Sequence, residues 1–189
     1  MISEKILSSI DSSIDVKTKL KDEAETIEKV GTLLATTINS GGKLIFFGNG
    51  GSAADSQHIV AELVGKFQKQ RKGLPAIALT TNTSILTAIG NDFGYEHVFE
   101  RQIEAVSLKN DVAIGISTSG NSVNVLKGIL AAKKLGIKTI GLTGISGGEL
   151  AKVADISLKV PSDETQRIQE SHILVGHILC EIIEELINP

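Results

Sequence analysis

Apolar residues recur at helical spacing through the first forty residues of the chain. Between positions 2 and 38 they stand mostly three or four residues apart among charged neighbours, as Ile6, Ile10 and Ile14 do. Such spacing places apolar side chains along one face of a helix, so the pattern predicts one or two long helices that end at Gly41-Gly42. This N-terminal arm (residues 1–40) could cover the core of its own domain or pack against another subunit.

Five short apolar runs follow the arm, each bounded by Gly, Ser, Thr or Asn. Their largely apolar character predicts strands that are buried on both faces, at residues 43–47, 76–80, 112–116, 139–142 and 156–160. Helical patterns separate or follow them, at residues 53–67, 84–89 with 95–106, 123–135, 148–153 and 164–187. Because parallel strands need crossover connections, this alternation predicts a parallel sheet with helices on both sides. Without a linker or repeat, the chain is interpreted as one domain, residues 1–189, with its α/β core at 43–160.

Composition narrows the class of ligand. The chain has 189 residues, 41% of them hydrophobic, and a net charge of −3 without the basic stripe that binds a nucleic-acid backbone. Aromatic residues make up only 3% and include no Trp, which leaves no platform for stacking bases. No stretch resembles a membrane span or a signal peptide, and a lone cysteine, Cys180, cannot form an internal disulfide. We therefore expect a cytoplasmic protein that binds a small polar ligand rather than nucleic acid or a membrane.

A glycine loop (residues 48–52) follows the first predicted strand. In parallel sheets ligands bind where strands lead into helix N-termini, whose free amides attract anions. The spacing of Gly48, Gly50 and Ala53 also fits a dinucleotide fingerprint. However, the second strand ends in Thr80-Thr81-Asn82, without the carboxylate that would bind a ribose, and the chain has no Gly-Lys-Ser/Thr triplet. The loop thus indicates a ligand site, but neither a dinucleotide nor a nucleotide site.

A serine loop (residues 117–122) follows the third predicted strand. It carries four hydroxyl groups, those of Ser117, Thr118, Ser119 and Ser122, and no basic residue occurs before Lys127. Hydroxyls and helix-end amides can bind a phosphate without a lysine. Capping of the next helix would explain one such residue, but not four. The loop therefore predicts a phosphate site, whereas Thr143-Gly144, after the fourth strand, is interpreted as a turn.

Two predicted helices carry candidate catalytic side chains. His58 and Glu62 are four residues apart and face the same way, and Gln169 and His177 lie on roughly one side of the last helix. A Glu and a His suit the proton transfers of aldose–ketose isomerisation, but the same groups could hold zinc. Spacing alone leaves both roles open, beside a plain salt bridge or a core histidine. We interpret His97 and His172 as structural.

Together these motifs resemble the phosphoheptose isomerases, a family of bacterial sedoheptulose 7-phosphate isomerases on the sugar isomerase (SIS) fold. The resemblance covers nearly the whole chain. Its motifs are residues 48–52 with His58 and Glu62, residues 88–95, residues 115–122, and residues 167–170 with His177.

The resemblance implies a three-layer α/β/α sandwich with a five-stranded, flavodoxin-like parallel sheet and a long N-terminal helical arm. It implies Glu62 as base, His177 as acid, and one zinc per subunit held by His58, Glu62, Gln169 and His177. A zinc-bound carboxylate is a poorer base, so the two roles of Glu62 compete. It also implies a homotetramer with sites at subunit interfaces. The implied substrate site contains Asn49, Gly50, Gly51, Ser52, Glu62, Asn91, Asp92, Ser117, Thr118, Ser119, Ser122 and Gln169.

Two non-enzymatic classes on the same fold compete with this interpretation. One binds the bacterial replication initiator, and the other senses sugar phosphates. Both can do without Glu62 and His177, which this chain contains. The sequence therefore favours an isomerase that converts D-sedoheptulose 7-phosphate to D-glycero-D-manno-heptose 7-phosphate for lipopolysaccharide or another surface glycan.

Overall fold

A parallel sheet of five strands lies at the centre of the computed structural model, which describes residues 1–187. The predicted domain extends to residue 189, and its last two residues lie outside this description. The sheet order is β2-β1-β3-β4-β5, which confirms the predicted fold class. The strands are β1 (Leu44–Gly48), β2 (Ala76–Ala78), β3 (Val112–Ile116), β4 (Lys138–Thr143) and β5 (Ile156–Lys159).

Helices cover both faces of the sheet. Side chains that alternate along β1 show the two layers, since Leu44 and Phe46 pack with the first, second, third and last helices, whereas Ile45 and Phe47 pack with the helices between β2 and β5. The helices are α1 (Ile2–Lys19), α2 (Ala24–Asn39), α3 (Gly51–Val64), α4 (Thr83–Phe93), α5 (Glu100–Val106), α6 (Val123–Lys134), α7 (Leu150–Val153) and α8 (Thr165–Leu186). No helix within residues 1–187 has both the length and the apolar character that crossing a membrane requires.

The N-terminal arm forms two helices with different environments. Helix α2 packs along α8 and buries Val30 and Leu34, so it covers the core of its own chain. Helix α1 is joined to α8 mainly by polar groups, among them the hydrogen bond from Ser13 to Glu170 at 2.7 Å. Five of its apolar side chains face outward, namely Ile2, Ile6, Leu7, Ile10 and Ile14, whereas Val16 is buried in the core. The arm therefore covers its own core with α2 and the end of α1, and leaves the outer face of α1 exposed.

Several predicted boundaries are wrong, among them the end of α4, which extends to Phe93 and not only to residue 89. Strand β2 ends at Ala78 and not at residue 80, and α3 ends at Val64 and not at residue 67 because Gly65 leaves helical geometry. The helix predicted to begin at residue 148 begins only at Leu150, since Gly148 has a φ of +54°, which a right-handed helix does not contain.

The order of the strands determines where a ligand can bind. The chain adds β2 on one side of β1 and then β3 on the other, and this reversal creates a crevice at the carboxyl ends of β1 and β3. Gly48 at the end of β1 pairs in register with Ile116 at the end of β3. The glycine loop and the serine loop therefore leave the sheet side by side.

Candidate functional site

The glycine loop is joined to the start of α6 by a pair of amides. The side chains of Asn49 and Asn124 donate to each other, and both N···O distances are 2.8 Å. Ser52 is buried in the first turn of α3. Gln169 of α8 lies against the same loop, because a Cβ on Gly51 would clash with its amide. Three elements that are far apart in sequence thus meet at the carboxyl end of β1.

The serine loop does not use its hydroxyls to cap α6. Ser122 occupies the N-cap position but makes no side-chain cap, and its Oγ lies 2.9 Å from Oγ of Ser117. Ser117 is buried at the end of β3, whereas Ser119 is exposed. The capping explanation therefore fails for Ser122, and the hydroxyls face one another at a helix N-terminus where a phosphate could bind.

Residues 143–150 support the serine loop from behind. The amide of Gly144 donates to the carbonyl of Thr118, and the amide of Leu150 donates to the carbonyl of Gly120, both at 2.9 Å. A Cβ on Gly148 would lie 2.5 Å from the carbonyl oxygen of Ser119. Thr143-Gly144, interpreted from sequence as a turn, thus also begins the segment that shapes the serine loop. In the sequence, the adjacent glycines 147 and 148 are the feature that could have indicated this supporting role.

Helices α3 and α8 bring together a His–Glu–His cluster (His58, Glu62 and His177). Nε2 of His58 lies 3.2 Å from Oε1 of Glu62 and 3.4 Å from Nε2 of His177. One ligand atom from each residue lies within 4.8 Å of the other two. A plain salt bridge would explain His58 and Glu62, but not a second imidazole that directs Nε2 to the same point from another helix.

The donor set of this cluster fits a divalent metal. Zn–N and Zn–O bonds of about 2.0–2.2 Å in tetrahedral geometry separate neighbouring ligand atoms by roughly 3.3–3.6 Å. The distances of 3.2 and 3.4 Å around Nε2 of His58 are close to this separation. Gln169, the fourth ligand implied by the resemblance, lies two turns before His177 on α8 with its amide at the glycine loop.

Two residues beside the cluster were missed from the sequence. Asp55 lies one turn before His58, and burial raises its carboxyl pKa to about 6, against the opposing effect of His58. Its Oδ2 is buried and finds no hydrogen-bond partner within residues 1–187. Phe67 stacks on His177 with ring centroids 5.4 Å apart and planes at 19°. Asp55 could have been predicted from the sequence, because it lies one helical turn from His58. Phe67 could not, because it is 110 residues from His177 in the sequence.

Asn91 and Asp92 lie apart from these groups. Both are exposed in the last turn of α4, where the amide of Asn91 donates to Asp92 at 2.8 Å. In the described part of the chain, no hydrogen bond joins either residue to the glycine loop or the serine loop. Tyr95, which follows them, does reach the glycine loop, with its Oη 3.4 Å from Oδ1 of Asn49.

The remaining histidines have structural environments, as the sequence predicts. Nδ1 of His97 lies 2.6 Å from the Glu100 carboxylate. His172 is fully buried and donates from Nε2 to the carbonyl of Thr143 at 3.2 Å. Burial lowers its pKa to about 4, so the ring is neutral at physiological pH.

Comparison with known proteins gives consistent matches. The profile of the SIS domain family matches residues 10–144. Phosphoheptose isomerase of Aquifex aeolicus is 58% identical over 164 residues, which cover 87% of this chain and 86% of that protein. The enzyme of that name from Aneurinibacillus thermoaerophilus is 53% identical over 185 residues, covering 96% and 93%. The structure of phosphoheptose isomerase from Neisseria gonorrhoeae superposes with a TM-score of 0.93 at 41% identity, over 98% of this chain and 100% of the other.

Proposed function

The chain is an isomerase of the phosphoheptose isomerase family, and on this premise we propose that it converts D-sedoheptulose 7-phosphate to D-glycero-D-manno-heptose 7-phosphate. The observation that carries the proposal is the His–Glu–His cluster, in which ligand atoms of Glu62 and His177 lie within 4.8 Å of each other, with Glu62 on the helix that follows the glycine loop. Proteins that only bind sugar phosphates have no need of this acid–base pair.

The serine loop would bind the phosphate of the substrate. Its facing hydroxyls and the N-terminus of α6 can hold a dianion without a lysine in the loop. The glycine loop, with Asn49 and Ser52, would line the path from the phosphate to the His–Glu–His cluster. We further propose that Asn91 and Asp92 contact the sugar, together with Gln169.

Proton transfer would use the carboxylate of Glu62 and the imidazole of His177. In this scheme Glu62 takes a proton from C1 of the ketose while His177 gives a proton to the oxygen on C2, which yields an enediol. Glu62 then returns the proton to C2, and His177 takes the proton from the oxygen on C1 to leave the aldehyde. Both groups end as they began, as general acid–base catalysis requires.

Zinc, one per subunit, is the cofactor that we propose for the cluster. His58, Glu62 and His177 would hold it together with Gln169. When bound, the metal supplies a Lewis acid for the substrate carbonyl. A role of Glu62 as ligand competes with its role as base, so removal of the metal is an informative experiment.

The outward apolar face of α1 supports a proposed homotetramer. Its exposed side chains, such as Ile6 and Ile10, are of the kind that subunit interfaces bury. We place the enzyme in the cytoplasm, on a route to lipopolysaccharide or another surface glycan.

The proposal is tested by incubating the purified protein with sedoheptulose 7-phosphate and measuring the aldose formed. We expect turnover in the metal-loaded protein. Binding of the sugar phosphate without any turnover, with or without added zinc, would instead indicate a sensor.

A further inference from the structure

One buried carboxylate organises the segment that follows α3. The side chain of Glu184, on α8, accepts hydrogen bonds from three successive backbone amides, those of Phe67 at 3.2 Å, Gln68 at 3.0 Å and Lys69 at 2.9 Å. Glu184 is only 5% exposed. A buried carboxylate with so many donors fixes the conformation of the backbone it binds.

Arg71 connects this carboxylate to the end of α3. Its Nε donates to Glu184 at 2.8 Å, and its two terminal nitrogens donate to the carbonyls of Leu63 at 2.8 Å and Glu62 at 2.9 Å. Burial would raise the pKa of Glu184, but the three amides and Arg71 outweigh it and lower the pKa. Glu184 therefore stays ionised and paired, and the last turn of α3, which carries Glu62, is tied to α8.

The same segment also contacts His177. The amide of Phe67 is bound to Glu184, while its ring stacks on the imidazole of His177. His177 and Glu184 are seven residues apart on α8, which places them two turns apart on one side of the helix. The imidazole of His177 also meets the ring of His58, with centroids 5.1 Å apart and planes at 70°. His177 is thus in contact with one ring of the cluster and with one ring whose backbone is bound by Glu184.

We propose that Glu184 is a positioning residue of the isomerase, which acts through Phe67 on the ring of His177 and through Arg71 on the turn that carries Glu62. Its catalytic consequence rests on the function proposed above, whereas its effect on the His177 ring does not. A group that only stabilised the fold would affect unfolding, but not the environment of this one imidazole.

The test compares Glu184→Gln with Glu185→Gln, a change of the same chemistry at the exposed neighbouring position. Glutamine keeps the shape of the side chain but loses the charge that pairs with Arg71. We expect Glu184→Gln to lower kcat at least tenfold while KM changes less than threefold. In NMR spectra of the full-length chain at matched metal content, its His177 ring resonances should move, since aromatic stacking shifts them, while those of His97 stay in place. Glu185→Gln should match the wild type in both measurements.

A second variant keeps the proposal testable if Glu184→Gln does not fold. Phe67→Leu removes the stacked ring but leaves the backbone amides that Glu184 binds, and it should shift the same His177 resonances and lower kcat. An unchanged kcat in either folded variant, or His177 resonances that stay in place, overturns the proposal. If the wild type itself shows no turnover, the function fails but the positioning claim stands or falls on the His177 resonances alone.

Discussion

Gly176 is a point of close contact between α8 and α3, one residue before His177 of the His–Glu–His cluster. A Cβ at position 176 would lie 2.6 Å from both Cγ1 and Cδ1 of Ile59. Carbon atoms in contact stand about 3.5–4.0 Å apart, so the two helices would have to separate by roughly 1 Å. Ile59 is 1% exposed and packed in the core, and it cannot turn away into solvent. Gly176→Ala should therefore move His177 away from His58 and Glu62.

The size of the effect follows from this displacement. Overpacking of a core typically costs about 1–3 kcal/mol, and in a domain of this size each kcal/mol lowers Tm by about 2–4 °C. Misplacement of a catalytic group by about 1 Å can lower turnover by roughly 100-fold. The 3.4 Å separation between the two Nε2 atoms would rise beyond what one tetrahedral metal can span without strain. We expect a loss of a few degrees in Tm and a fall in kcat/KM of roughly 100-fold.

Gly31→Ala provides the matched control. A Cβ there would lie 2.6 Å from Cγ2 of Ile182, so it also crowds α8, but at the contact with α2 and away from His177. Ile182 is only half-buried and can adjust. Thermal unfolding and aldose formation would be measured for both variants at a temperature well below either Tm. Gly31→Ala should lose stability and keep its turnover. If Gly176→Ala loses stability but turns over like the wild type, the spacing of α3 and α8 does not govern the reaction, and the reasoning is refuted.

Three further predictions concern the serine loop, the buried histidine and the metal. Gly148→Ala should raise KM for the sugar phosphate about tenfold, equivalent to about 1.4 kcal/mol, because its Cβ would displace the backbone of Ser119. The control is Gly136→Ala, since Gly136 also has a positive φ, of +74°, but a Cβ there would meet nothing within 4 Å; it should cost only about 1–2 kcal/mol of stability and leave KM unchanged. Equal KM values for Gly148→Ala and Gly136→Ala would contradict this account. His172 is neutral in the fold and has a pKa of about 4 against an ordinary 6.5, so the unfolded chain binds more protons and stability falls as pH drops from 6.5 to 4. Burial raises the pKa of Asp55 and acts in the opposite direction, so the measured quantity is the stability of the wild type relative to His172→Gln in denaturant titrations. This difference should fall by about 3 kcal/mol between pH 6.5 and 4, and a parallel pH dependence of the two proteins would count against the assignment. Treatment with a chelator should abolish turnover and added zinc should restore it, whereas full activity of demonstrably metal-free protein would exclude a role for the metal.

Much of the fold follows from local pattern. Strands β1 and β3 are wholly buried, so their sequences are continuous apolar runs, and this pattern predicts strands in the centre of a parallel sheet. The pairing of His58 with Glu62 is also local, because four residues on a helix bring two side chains onto one face. The start of α7 depends on the backbone angle φ of Gly148, which cannot be predicted from the pattern of apolar residues.

Contacts between distant segments could not be predicted in this way. His177 meets His58 across 119 residues, and only the docking of α8 on α3 determines which faces of the two helices meet. In the sequence, Glu184 is one of several acidic residues near the end of a helix. Its role depends on the conformation of residues 65–71, which bring their donors to its carboxylate. The support of the serine loop by residues 143–150 likewise depends on β4 lying next to β3.

The central claim is that Glu62 transfers a proton between two carbons of a phosphorylated sugar. It is tested most directly by following sedoheptulose 7-phosphate in D2O by proton NMR with the wild type and with Glu62→Gln, at equal metal content. We predict that the wild type forms the aldose with deuterium from solvent at C2, and that the folded Glu62→Gln variant forms none. Aldose formation by Glu62→Gln at the wild-type rate would contradict the account.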